Sequence, residues 1–129
     1  MKKRGILNEP LAGALAGLGH TDRIAVGDYG LPRPTGVRVV DLALTFGVPR
    51  FAEVIDALAA ELEVEKIVVA RETSEVNPAV LALLVGHFGE PEWTSHEELK
   101  AESGHARLFI RTGEATAFAN VILQCGVPF

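Results

Sequence analysis

The chain is poor in the residues that brace small folds: one cysteine, one tryptophan, one tyrosine, one methionine, and 6% aromatics in all. Cys125, in the apolar run "NVILQCG", cannot form a disulfide framework within the chain, so a packed core must hold the fold and a reducing, cytoplasmic setting is expected. Few aromatics beside 48% hydrophobic residues leave Ala, Leu and Val to fill that core, as in helices laid on a sheet rather than a β-sandwich. Long apolar runs are missing as well. Nothing approaches the ~20 residues of a transmembrane helix, and the basic opening "MKKR" is followed by no signal-type apolar stretch of ~7–15 residues, so neither anchor nor leader is expected. There is no basic stripe. A net charge of -5 and a pI near 5.3 speak against nucleic acid or an anionic membrane as partner and for a small, uncharged ligand.

Several chemical motifs are absent too. No two of the four histidines stand three or four residues apart, so no helical metal site is expected. The loop "GDYGLPRPTG" has neither the order of a P-loop nor that of a dinucleotide fingerprint, and its prolines prevent a continuous cradle of N–H groups. Ser74, Ser95 and Ser103 lie in no nucleophile-elbow context. Acid/base chemistry on a polar, uncharged ligand is what remains.

The patterns that are present describe one domain, residues 1–129, of the α/β class. Asn8, Glu9 and Pro10 open a helix with Leu11, Ala14, Leu15 and Leu18 at helical spacing, ended by Gly19. "RIAVGD" and "VRVVDLAL" read as strands. Phe51, Val54, Ile55, Leu58 and Leu62 form the stripe of an amphipathic helix, "KIVVAR" a buried strand, and "NPAVLALLVGHF" a third helix. This alternation predicts parallel pairing. "SHEELK" carries a capping box, Ser95 with Glu98, opening a further helix, and "ARLFIR" and "ANVILQC" close the chain as strands.

Asp28 stands at the carboxyl end of the first strand, where α/β sheets bind ligands; an Asx turn is the structural alternative. His20 follows the first helix, suited either to receive that helix's last carbonyls or to carry protons near neutral pH, with Asp22 or Asp28 to orient it. His96 and Lys100, four residues apart, share one helix face, which could meet a ligand or only solvent.

Six ordered motifs, "GHTD", "DYGLP" followed by "RP", "DLALTFGVPRF", "SHEELK", "FIRTGE" and "FANVILQCGVPF", resemble the D-ribose pyranase group of the ribose pyranase and fucose mutarotase family, from "GILN" to the C-terminus. The resemblance implies a three-layer α/β/α sandwich with a mainly parallel sheet. It also implies a ring-shaped homo-oligomer, commonly a decamer, with sites between subunits, and cofactor-free interconversion of ribose pyranose and furanose to supply the form that is phosphorylated. His20 is then the proton donor, and Asp28, His96, Lys100, Phe118, Ala119 and Asn120 bind sugar, with no metal. A working division puts His20 and Asp28 on one subunit and Phe118 to Asn120 on its neighbour. The family's triplet is usually Tyr-Ala-Asn, so Phe118 lacks a hydroxyl. Fucose-type anomer exchange and a non-catalytic sugar-binding module are the alternatives; the "DYGLP" loop favours the ribose branch, since mutarotase-type members tend to have Asn-Phe-Pro there.

Overall fold

In the computed structural model, which describes residues 1–129, six strands form one sheet in the order β2-β5-β1-β6-β3-β4. In chain order the elements are α1 (Glu9–Ala16), β1 (Arg23–Gly27), β2 (Arg38–Asp41), α2 (Phe51–Ala59), β3 (Val64–Ala70), α3 (Arg71–Val76), α4 (Pro78–Phe88), β4 (Glu92–Thr94), α5 (His96–Ser103), β5 (Leu108–Arg111) and β6 (Val121–Cys125).

The helices form where the sequence supplies caps and stripes. Asn8 accepts from Leu11 N at 3.0 Å and Pro10 sits in the first turn of α1, which ends at Gly17, two residues before the Gly19 stop expected. In α2, Phe51, Val54, Ile55 and Leu58 are buried, each worth about 1.5–3 kcal/mol in apolar transfer. Leu62 falls past the end of that helix. Helices α1, α2 and α4 cover one face of the sheet, packing on Ile24, Val26, Ile67, Val69, Leu108, Ile110 and Leu123. The other face, with Ala25, Val39, Val68, Phe109 and Ile122, is covered by Leu99 of α5 and by Leu31 and Val37. Alternate strand residues thus face two cores, giving three unequal layers.

The sheet is mainly parallel, with one departure. β6 runs antiparallel between β1 and β3. Only residues 112–120 separate β5 from β6, too few for the crossover of a dozen or more residues that a parallel pair requires, so the chain turns back. That return lays residues 112–120 across the carboxyl edge of the parallel strands. Two elements were not anticipated: the short helix α3 directly after β3, and the edge strand β4, whose three residues show no alternation.

Candidate functional site

Gly27 ends β1 and Asp28 follows it, beside the start of β6, where Val26 is paired with Val121. A side chain at Gly27 would meet Asn120 Oδ1, 2.9 Å from the position of its Cβ, so glycine lets Asn120 approach. Asn120, wholly buried, accepts the Asp28 N–H on Oδ1 at 3.0 Å. Asp28 Oδ1 in turn accepts the Gly30 N–H at 3.0 Å, the Asx turn named as an alternative. Burial pushes the Asp28 carboxyl up from its ordinary value, outweighing the Gly30 and Leu31 N–H groups, the Asn120 amide and the His96 ring, all of which favour the anion.

His96 arrives from the far side of β6 as the first residue of α5. The capping box is formed: Ser95 Oγ accepts from Glu98 N at 3.1 Å, and Glu98 Oε2 accepts from Ser95 N at 3.0 Å and from the Thr94 hydroxyl at 2.7 Å. The Ser95 N–H, with the Thr94 and Ser95 hydroxyls, holds the Glu98 carboxyl down to about 2. The His96 ring meets Phe118 edge to face, centroids 4.9 Å apart.

Asp28, Leu31, Pro32, His96, Lys100 and Phe118 line a cavity of about 370 Å³, of the size that takes small ligands. Lys100 Nζ pairs with Glu97 at 2.6 Å at its rim. Two buried side-chain atoms in the whole chain lack a hydrogen-bond partner, His96 Nδ1 and Asn120 Nδ2, and both belong to residues grouped around Asp28. Buried polar atoms are rarely left unpaired. Asn120 is not among the lining residues and stands behind Asp28, while the lining itself offers a carboxylate acceptor, an imidazole and an aromatic face, a set that suits a neutral polyhydroxylated molecule.

The remaining assigned residues lie elsewhere. Ala119 is fully buried in the core between Phe118 and Asn120, so its side chain does not line the cavity. His20 stands before β1, at the sheet's amino edge, where the Thr21 N–H bonds the Cys125 carbonyl. The five residues of β1, roughly 17 Å at about 3.3 Å each, separate it from Asp28. The working division is therefore corrected: Asp28 shares its chain's site with Phe118 and Asn120, and His20 is the residue set apart. Neither Asp22 nor Asp28 orients it. Asp22 Oδ2 accepts the Gly19 N–H at 2.8 Å, while His20 Nε2 lies 3.0 Å from Glu65 Oε2, and Glu65 Oε1 accepts from Gln124 Nε2 at 2.8 Å. The bonds from Gln124 and then His20 lower the Glu65 pKa. Nor does His20 cap α1, which ends three residues earlier. It opens on a cleft of about 680 Å³ lined also by Leu18, Glu63 and the terminal Val127 to Phe129. Glu65 went unnoticed because "EVEKIVV" contains no chemical motif; the antiparallel pairing of β3 with β6, which brings Gln124 beside it, is the signal that finds it.

No helix is long and apolar enough to cross a membrane, and no three His, Cys, Asp or Glu side chains cluster as metal ligands do. The model of the RbsD / FucU transport protein family matches residues 1–128. The chain is 57% identical to a D-ribose pyranase of Streptomyces avermitilis and 53% identical to D-ribose pyranase 1 of Rubrobacter xylanophilus, each over 129 residues and the full length of both proteins. Among solved structures it resembles Bacillus subtilis RbsD complexed with D-ribose, at a TM-score of 0.94 and 48% identity with both chains fully covered. A Streptococcus pneumoniae fucose mutarotase in complex with L-fucose shares the fold, with a TM-score of 0.82, 21% identity, and coverage of 99% of this chain and 100% of the other. A fold built around a mixed sheet, with sugar-type polar groups gathered at its carboxyl edge and a match along essentially the whole sequence, places the chain in the RbsD / FucU transport protein family.

Proposed function

We propose that the protein interconverts the pyranose and furanose forms of D-ribose by acid/base ring opening. The observation that carries the reading is the pair of buried, unpartnered nitrogens, His96 Nδ1 and Asn120 Nδ2, around the Asp28 carboxylate; the full-length D-ribose pyranase relatives identify the sugar. The reaction moves only protons and one C–O bond, so its balance calls for no oxidant, reductant or cofactor. A proton leaves the anomeric hydroxyl, another reaches the ring oxygen, and the ring opens to the aldehyde. A different hydroxyl then adds to the carbonyl and closes the other ring.

Asp28 accepts hydrogen bonds from sugar hydroxyls, the Asn120 amide donates one, and Phe118 gives the apolar face of the sugar a surface to rest on. His96, with Lys100 behind it, holds the far side. His20 carries the proton, kept in position by Glu65. His20 and Asp28 lie at opposite ends of β1, and this supports a homo-oligomer, the decamer expected of the family, in which His20 of one subunit completes the sugar cavity of its neighbour. We place the activity in the cytoplasm, in keeping with the one buried, unpaired cysteine, Cys125.

Saturation-transfer NMR of ribose with catalytic protein tests the reading. Pyranose–furanose exchange should accelerate, and His20→Ala should remove about 10²–10⁴-fold of that acceleration while ribose still binds. Binding without acceleration by the wild type would leave a sugar-binding module; exchange of anomers without change of ring size would leave a mutarotase.

A further inference from the structure

Helix α3 lines no part of the sugar cavity, yet two adjacent side chains on it hold the two segments that bring His96 and Phe118 together in the cavity's lining. Thr73 is wholly buried, and its hydroxyl donates to the Phe118 carbonyl at 2.9 Å. Glu72 accepts the backbone N–H of His96 on Oε2 at 3.0 Å. Just past the helix, Asn77 Nδ2 donates to the Ala117 carbonyl at 2.9 Å and to the Thr116 hydroxyl at 2.8 Å. The loop with Phe118 and the first turn with His96 are thus tied to one six-residue helix.

The tie to Phe118 matters most because of that residue's backbone. Its φ is 59°, in the left-handed region that bulky L-residues avoid, and such a conformation persists only where the surroundings enforce it. The Thr73 hydroxyl supplies the enforcing bond, and a hydroxyl buried in this way is itself tolerated only when bonded. Freed from it, Phe118 has the extended region open to it. Its ring then leaves the His96 edge, and the turn that sets Asn120 against Asp28 N shifts with it. The geometry points to Thr73 as a positioning residue for ribose ring exchange: it locks Phe118 in the left-handed conformation that keeps the aromatic wall and Asn120 in register, with Glu72 and Asn77 fixing the flanking segments.

The inference rests on the ribose reading, and the test separates the two. Thr73→Val keeps the side-chain shape and removes the donor. It should raise KM for ribose ~10-fold with kcat within ~2-fold of wild type, because His20 lies at the other edge of the sheet and is untouched. Thr73→Ser, which restores the donor, should return KM to within ~2-fold. A merely structural role would reduce the amount of folded enzyme, lowering apparent kcat and leaving KM alone. If Thr73→Val fails to fold, the same comparison is made with Asn77→Ala, at a half-buried position, where a rise in KM of ~3-fold is expected. An unchanged KM in the variant that folds, or a serine variant no better than valine, overturns the inference. Should the wild type leave ribose unchanged, the ribose reading fails, and crystal structures of Thr73→Val and Thr73→Ser still decide the positioning role: left-handed Phe118 packed on His96 in the valine variant would overturn it.

Discussion

Replacing Asp28 by Asn should separate stability from sugar binding. The amide oxygen can still accept the Gly30 N–H, so the Asx turn survives, but the second oxygen becomes an NH₂ group and the charge is lost. A hydrogen bond to a charged acceptor is worth about 1.5–3 kcal/mol against about 0.5–1.5 for a neutral one, so each sugar hydroxyl loses about 1–1.5 kcal/mol. For one or two hydroxyls, ribose affinity should fall about 5- to 150-fold. Stability should move the other way. Burial raises the Asp28 pKa in the folded state, so this group's contribution is fully present below its ordinary value of 3.8 and is lost as pH rises through the raised value. At neutral pH burial therefore makes the anion less favourable in the folded state than in the unfolded chain, and Asp28→Asn should melt at the same temperature as wild type or higher. The pH profile offers a third reading. Wild-type ribose affinity should decline on acidification at a pH above that of an ordinary aspartate, and the Asn variant should lack this limb. Calorimetric titration with ribose and thermal melts suffice. A variant that binds ribose within twofold of wild type, or one that melts well below it, refutes the assignment of Asp28 as a buried anionic anchor for the sugar.

Three further outcomes are expected. Homo-oligomers of His20→Ala and of Asn120→Ala should both be inactive, whereas co-assembled mixtures should regain ring exchange through boundaries that pair an intact His20 with an intact cavity; verified co-assemblies without rescue would remove the shared site and leave the chemistry of His20 open. Phe118→Tyr, restoring the family's phenol beside His96, should raise kcat/KM by about 0.5–1.5 kcal/mol, roughly two- to tenfold, and a loss instead would mean that the cavity is fitted to Phe. Carboxyl NMR should find Glu98 titrating at about 2, and because its folded-state pKa is depressed, the capping box of α5 stabilises fully above the ordinary 4.5 and loses its effect as pH falls toward 2. Glu98→Gln should flatten the acid-unfolding curve across that window, and an unaltered curve would show that the box does not stabilise α5.

What could be read from the sequence was whatever is written in local pattern. Asn8, the Phe51 stripe and the Ser95–Glu98 box announce their helices because capping and 3.6-residue periodicity act within a few residues, and the structure has all three. Asp28, His96 and Lys100 could be named singly, Phe118 only through the family resemblance, and the fold supplies what no local pattern holds: β6 enters between β1 and β3 and brings a strand end, a helix start and a return loop to one cavity. Helix α3 escaped notice because "RETSEV" has no apolar stripe and no side-chain cap, only Thr73 turned inward to a carbonyl distant in sequence. Glu65 escaped for the same reason, since its partners His20 and Gln124 come from beyond both ends of its strand in the sequence. The residues that bear directly on a sugar were thus legible by type, and those that hold them in place only by position. The span of β1 makes the point most sharply: in one chain it keeps His20 and Asp28 apart, so the proposal that both act on one sugar requires copies of the chain to meet, a property of the assembled surface that no stretch of one sequence spells out.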